Sequence, residues 1–199
     1  MLVGRGHLHL GYCVRVHLPT PPSLPALPGG VGMRLLEAAD PPALARAYRD
    51  DREQSAPWEP ARDDAFFTPE GQAAVVARRL EARAAGTDVP WVIVVEDRII
   101  GTITLTGIVR GPLLSGHVGY WVDSRFRGRG ICSAALASVL QHAREELGLH
   151  RVQASVMPRN APSQAVLHRA GFTLIGLAPS YLRIAGAWED HLLYQRILH

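Results

Sequence analysis

The spacing of apolar positions changes several times along the chain, and each change marks an element. Met33–Leu36 predicts a short strand, and Asp40-Pro41-Pro42 predicts a helix start, with Asp40 as N-cap and proline in the first turn, running to about Arg49. Ser55–Phe67 loses periodicity and reads as a polar-aromatic loop carrying Trp58, Glu59, Asp63 and Asp64. Thr68-Pro69-Glu70 opens a second helix, which Gly86 ends. Trp91–Val95 and Ile99–Ile108 are rich in Val, Ile and Thr and predict a hairpin across Glu96-Asp97-Arg98, with His117–Val122 as a third strand.

After Gly130 the period becomes helical. Cys132, Leu136, Val139, Ala143 and Leu147 recur at intervals of 4, 3, 4 and 4, and Gly148 terminates the run. Val152, Ala154 and Val156 alternate as a strand, and Ala161–Ala170 is a short helix stopped by Gly171. Phe172–Leu177, Tyr181–Ile184 and His191–Leu198 supply the last strands. The predicted order is β-α-α-β-β-β-α-β-α-β-β with no internal repeat, so residues 31–199 read as one mixed α/β domain. Residues 1–30 differ: Pro19, Pro21, Pro22, Pro25 and Pro28, followed by Gly29-Gly30, predict an extended N-terminal arm.

Composition narrows the class. At 199 residues there is room for one domain with a sizeable core, and 47 % hydrophobic with 20 % charged residues is ordinary for a globular protein. No apolar run approaches the roughly 18–20 residues needed to span a bilayer, so no membrane role is expected. Arg5, His7, His9, Arg15 and His17 break up Met1–Leu18, which does not read as a signal peptide. Cys13 and Cys132 make no disulfide framework, and a reducing cytoplasm is the expected location. All 21 basic residues are Arg, and the net charge is only +3. Without a basic run interleaved with aromatics, nucleic acid is not expected as a direct ligand, although the charge favours steering to an acidic or RNA-rich surface.

The segment Gly119-Tyr120-Trp121-Val122-Asp123-Ser124-Arg125-Phe126-Arg127-Gly128-Arg129-Gly130-Ile131-Cys132 is where chemistry concentrates. It reads as a strand, a two-glycine turn and the first turn of a long helix. Such a helix start presents unpaired N–H groups and partial positive charge, Gly128 and Gly130 permit close backbone approach, and Arg127 and Arg129 add charge. Together these suit a pyrophosphate. The plain alternative is a turn whose glycines serve its geometry alone. A dinucleotide fingerprint fails because Ser133 stands where the third Gly is required, and a P-loop fails because the chain has no Lys.

Arg125-x-x-Gly128-x-Gly130 resembles the Q/R-x-x-G-x-G/A signature of the GNAT acetyltransferases. The resemblance covers roughly Met33 to the C-terminus and extends to the RimJ/RimL-like branch, which acetylates protein N-termini. It rests on Pro57-Trp58-Glu59-Pro60 with Arg62-Asp63-Asp64, Val109-Arg110-Gly111, Gly119-Tyr120, and Met157-Pro158-Arg159-Asn160 with Ser163. Gly171-Phe172 and Tyr181-Leu182-x-Ile184-x-Gly186-x-Trp188 before Asp190-His191 complete it. The Trp58–Asp64 loop and Val109-Arg110-Gly111 are closer to RimJ than to RimL.

The resemblance implies a mixed, mostly antiparallel twisted sheet with helices on both faces and a V-shaped split between two central parallel strands, His117–Val122 and Val152–Met157. Acetyl-CoA would lie in the split, its pantetheine beside the backbone of Tyr120, Trp121 and Val122 and its pyrophosphate on the amides of Arg127, Gly128, Arg129, Gly130, Ile131 and Cys132. Asn160 would reach the cofactor arm, and Ser163 would hydrogen-bond the coenzyme A sulfur. Asn160 as a simple N-cap of the following helix, and Ser163 as a local cap, are the alternatives. Trp58, Glu59, Tyr181 and Asp190 would line the acceptor slot, with Trp188 as a further aromatic. No metal is expected.

The resemblance leaves the base open. RimL-like members carry a Glu just before the Tyr181 position, where this chain has Ser180. His117, at the start of the splayed strand, is a substitute suited to proton relay, with Glu59 and Asp190 as further candidates. An α-amine titrates at about 7.7–8.0 against about 10.4 for lysine, so roughly a tenth is already neutral at pH 7. That difference favours a protein N-terminus as acceptor, for instance a ribosomal protein starting with Ala or Ser. A small-molecule amine (antibiotic, polyamine or amino acid) and a non-catalytic acyl-CoA-binding or ribosome-assembly factor are the competing readings. The sequence allows a homodimer without requiring one.

Overall fold

The computed structural model describes residues 27–199, so Cys13 and most of the predicted N-terminal arm lie outside the described residues. Leu27 is buried in the main core and bridges to Val31, its N–H donating to the Val31 carbonyl at 2.7 Å. Seven strands form one sheet in the order β1-β2-β3-β4-β5-β7-β6. They are β1 Val31–Leu35, β2 Val89–Val95, β3 Arg98–Val109, β4 Ser115–Val122, β5 Arg151–Val156, β6 Thr173–Ile184 and β7 Ala187–Ile197. Neighbours are antiparallel except β4 and β5.

The parallel pair is joined only at Ser115–His117 against Arg151–Gln153. Beyond that point β4 stays zipped to β3 as far as Val122, and β5 stays zipped to β7 as far as Val156. The two strands therefore diverge, and the sheet opens as a V.

Strand alternation then assigns each face. Val118 and Val122 of β4, Ile103 and Leu105 of β3 and Ala154 and Val156 of β5 pack with Leu136, Val139 and Leu140 of α4 (Ile131–Glu145) and Leu167 of α5 (Ala161–Arg169). The other face carries Val92, Ile99 and Trp121 against Leu44, Ala47 and Tyr48 of α1 (Pro41–Asp50) and Val76 of α3 (Pro69–Ala84). A short helix α2 (Arg52–Ser55) and two 3-10 turns, Ala56–Trp58 and Asp64–Phe67, give order to what the sequence reads as a loop.

Local chemistry explains most boundaries. Thr68 caps α3 through the Gly71 N–H at 3.1 Å, and Pro69 fits the first turn. Asp40 precedes α1 as expected but does not cap it. Its carboxylate is taken by Arg34, at 2.7 and 2.9 Å, and by the Glu37 N–H at 2.8 Å. Burial alone would raise the Asp40 carboxyl, but the Arg34 hydrogen bonds, the Glu37 amide and the Arg34 charge together outweigh it and hold it below the usual range. The predicted strands Phe172–Leu177 and Tyr181–Ile184 merge into one, β6, which begins at Thr173 and is interrupted between Ala178 and Leu182, where Ser180 takes φ +48°.

Candidate active site

The V opens into a cleft of about 620 Å³ that passes from one sheet face to the other. On the α4/α5 face it is bounded by Tyr120, the Arg127–Ser133 turn, Asn160 and Ser163. On the α1/α3 face it is bounded by Thr102, Thr104 and Thr106 of β3, Gly119 of β4, His191 of β7, and Trp58, Glu59, Arg62 and Arg79. Gly119 lies opposite Thr104, and a Cβ there would meet nothing within 4 Å, so the absent side chain leaves the passage open.

The turn ahead of α4 is preset. Gly128 and Gly130 both have φ +76°, a region that costs an L-residue about 1–2 kcal/mol, and neither has an atom where a Cβ would sit. Gly130 offers no side-chain cap, so the first amides of α4 remain free for an anion. Two buried carboxylates fix the approach to this turn. Asp123 accepts from the Arg125 amide at 3.0 Å and from its Nε at 2.9 Å, and Asp51 accepts from the Ser124 amide at 2.9 Å. Burial pushes the Asp123 carboxyl up, but the Arg125 hydrogen bonds together with the charges of Arg125 and Arg98 more than offset this and leave it lowered. Arg125, the first residue of the signature, is therefore a clamp on Asp123 and Asp50. Arg127 lines the cleft, with its guanidinium 3.4 Å from Asp51.

Beside the turn, the Tyr120 hydroxyl lies 2.9 Å from Ser163 Oγ. Burial pushes the Tyr120 hydroxyl up to about 12, so it is held protonated. Asn160 Oδ1 accepts from the Ser163 amide at 3.1 Å, which realises the N-cap, and its amide nitrogen is left without a protein partner among the described residues. Cys132 borders the same space, its thiol pushed up to about 11 by burial against the opposing effect of Arg127.

On the other face the loop bearing Trp58 and Glu59 is tied down. The Glu59 carbonyl accepts from the Ala185 amide at 3.0 Å. Arg159 sits 5.4 Å from the Trp58 ring centre, donates to the Pro57 carbonyl at 3.2 Å and pairs with Glu189 at 3.3 Å. Burial raises the Glu59 carboxyl, while Arg62 and Arg79 pull it back only in part.

Most residues singled out in the sequence converge on this cleft: Trp58, Glu59, Tyr120, Trp121, Val122, Arg127, Gly128, Gly130, Ile131, Cys132, Asn160 and Ser163. The Trp121 side chain is nevertheless turned into the core, stacked on Tyr48 with centroids 5.0 Å apart. Five others fall outside the cleft lining, among them Trp188, which is 66 % exposed on β7. Arg129 stacks on Phe126 and borders a separate, smaller depression. His117 is exposed, and it stands where β4 is still paired with β5, short of the point at which the V opens. Tyr181 is 39 % exposed, with its ring 5.6 Å from that of His191. Asp190 is exposed and accepts from the Ser180 amide at 2.8 Å, so it holds the β6 irregularity.

The sequence reading passed over His191, the threonines of β3, Arg62 and Arg79 as site residues. The threonines carried a signal, polar positions at period two within an apolar strand. His191 carried little, one of nine histidines inside a larger motif. Among the described residues no group of three or more metal-ligating side chains forms, and no helix is long and apolar enough to cross a membrane.

The family model for the acetyltransferase (GNAT) domain matches residues 31–173. The ribosomal protein uS5 alanine N-acetyltransferase of Escherichia coli is 32 % identical over 163 residues, 81 % of this chain and 84 % of that protein. The ribosomal-protein-S5-alanine acetyltransferase of Vibrio fischeri superposes with a TM-score of 0.81 at 38 % identity, covering 84 % of this chain and 93 % of the other. RimJ of Mycobacterium smegmatis, solved in complex with CoA-disulfide, gives 0.84 at 34 % identity, covering 89 % and 88 %. With that family match spanning the split strands and the glycine turn, the chain belongs to the GNAT acetyltransferases.

Proposed function

We propose that this enzyme transfers the acetyl group of acetyl-CoA to the α-amine of a protein N-terminus, with a ribosomal protein beginning with Ala or Ser as the acceptor class. The observation that carries the reading is a cleft through the split sheet with two chemically distinct mouths: a glycine turn with free amides on one face, and on the other a pocket lined by Trp58, the Glu59 carboxylate and His191 with Arg62 and Arg79 at its wall. The relatives that modify ribosomal-protein alanine support the choice of acceptor. Residues 31–199 form the catalytic domain in this reading, residues 1–30 an arm that precedes it, and the reducing cytoplasm is its compartment.

Bound acetyl-CoA supplies a thioester as acyl donor. The Arg127 amide is taken by the Ser124 carbonyl at 3.3 Å, so the amides of Gly128–Cys132 and the Arg127 guanidinium would hold its pyrophosphate, and the Asn160 amide nitrogen would donate to the pantetheine arm. Ser163 donates its hydroxyl proton to the sulfur, and Tyr120, behind it at 2.9 Å, restores that proton. Glu59 and Trp58 receive the acceptor, the carboxylate pairing with the ammonium charge before the proton is lost.

The test is acetyl-CoA turnover, read as thiol release, against a panel of N-terminal peptides and small amines. Peptides beginning with Ala or Ser are expected to lead the panel. A small amine that outpaces every peptide would replace the acceptor assignment, and tight coenzyme A binding with silence across the panel would remove the catalytic one.

A further inference from the structure

We infer that His191 is the group that takes the proton from the acceptor amine, an inference that rests on the acceptor reading above. Its placement follows from register. Leu192 and Tyr194 of β7 pair with Val156 and Ala154 of β5 and pack toward the α4/α5 core. Alternation then turns His191 to the opposite face, where Glu59 and Thr104 bound the acceptor side. The residue is only 3 % exposed, yet it lines the cleft.

Its tautomer is fixed by one contact. His191 Nδ1 lies 3.0 Å from the backbone carbonyl of Glu189, and a carbonyl only accepts, so Nδ1 carries the hydrogen. In the neutral ring the lone pair is therefore on Nε2, which has no hydrogen-bond partner among the described residues. The Tyr181 ring, 5.6 Å away and tilted by 52°, packs against the imidazole and limits its rotation. A buried base with one nitrogen anchored and the other free is what amine deprotonation requires.

The rival groups have other engagements. His117 stands before the opening of the V, Asp190 is committed to the Ser180 amide, and Glu59, which lines the same cleft, is the partner of the ammonium charge in the acceptor reading. Of the charged and titratable groups, Tyr181 on β6 packs on the ring and Glu189 and Asp190 flank it on its own strand, while Glu59, Arg62, Arg79, Tyr120, Arg127, Cys132 and Arg169 line the same cleft. In the transfer, the amine nitrogen bonds to the carbonyl carbon as the C–S bond breaks. His191 Nε2 takes one proton from the bound ammonium before attack and passes it to solvent, and the proton that nitrogen sheds as the amide forms leaves by the same route. The sulfur takes the Ser163 proton, Tyr120 reprotonates Ser163, and solvent reprotonates Tyr120.

The discriminating variant is His191→Asn, whose side-chain amide can still donate to the Glu189 carbonyl from the Nδ1 position but offers nothing at Nε2. With acetyl-CoA and an Ala-initiated peptide, kcat at pH 7 is expected to fall by about 100-fold or more, the range of a lost general base. Acetyl-CoA affinity should stay within about threefold, and the deficit should shrink below about tenfold at pH 9, where an α-amine is neutral unaided. Near-normal activity of His191→Asn, or a deficit that does not change with pH, overturns the assignment while leaving the acceptor reading intact. A wild-type enzyme that acetylates no peptide overturns both. Independently of any variant, nitrogen NMR of the wild-type His191 imidazole should show the Nδ1–H tautomer, and an Nε2–H tautomer would overturn the inference.

Discussion

Trp121 Nε1 donates to Asp51 Oδ2 at 3.2 Å, which ties the open arm of the V to the start of α2 from deep inside the protein. Asp51 is 1 % exposed and also receives the Ser124 amide and the Arg127 guanidinium. One carboxylate thus joins the segment leading to the Trp58–Glu59 loop with the turn that precedes the free amides of α4. Asp51→Ala leaves the indole and the Ser124 amide without partners, at about 1–3 kcal/mol for each buried donor. Together these are expected to lower Tm by about 4–24 °C. Acetyl-CoA affinity should weaken by at least about tenfold as the turn loosens. Calorimetry for both quantities checks this, and an Asp51→Ala protein that melts and binds like wild type would show that the turn holds itself.

Gly128→Glu tests the anion site directly. The new side chain has room, since no atom lies within 4 Å of the Cβ position, so the fold should survive with about 1–2 kcal/mol of backbone strain at φ +76°. A carboxylate at that position repels the pyrophosphate and occupies its space. Acetyl-CoA binding should fall by more than about 100-fold in titration calorimetry, with the far-UV circular dichroism spectrum unchanged. Unchanged affinity would mean that the glycines serve the turn alone.

How far the sequence discloses this site depends on whether the determinant is local. Gly128, Gly130, Thr68 and Asn160 act within their own turns, so their roles follow from residue type and spacing, and Asn160 does cap α5. Asp40 has the sequence of a cap but serves Arg34, six residues back, because ion pairing from the neighbouring strand competes for the same oxygens. His117 and His191 differ by register. Where β4 separates from β5 depends on pairings between distant segments, and that point excludes His117 while admitting His191. No period along a single strand carries such information.

Tyr120 and Ser163 should behave as one proton-donating unit. Tyr120→Phe and Ser163→Ala are each expected to lower kcat by about 10–100-fold with acetyl-CoA affinity within about threefold, and the double variant should cost little more than either. The pH profile adds a separate check. Burial pushes the Tyr120 hydroxyl up to about 12, so the donating form persists through alkaline pH. The wild-type rate should therefore show no alkaline decline from this group below about pH 10, and additive losses in the double variant would separate the two roles.

Cys132 borders the cofactor cleft, yet its chemistry should be muted. Burial pushes the thiol up to about 11, and the thiolate is the reactive form. A raised value keeps the neutral thiol dominant until strongly alkaline pH, so at pH 8 only about one molecule in a thousand carries the thiolate. Iodoacetamide labelling of Cys132, followed by peptide mapping to separate it from Cys13, should be far slower at pH 8 than labelling of an exposed thiol. It should accelerate by about tenfold per pH unit up to pH 10. Acetyl-CoA should slow it further, because Cys132 lies at the first turn of α4, where the pyrophosphate would sit. Rapid labelling at pH 8, or labelling that ignores the cofactor, would show that the thiol faces open solvent and that the cofactor does not cover this end of the cleft.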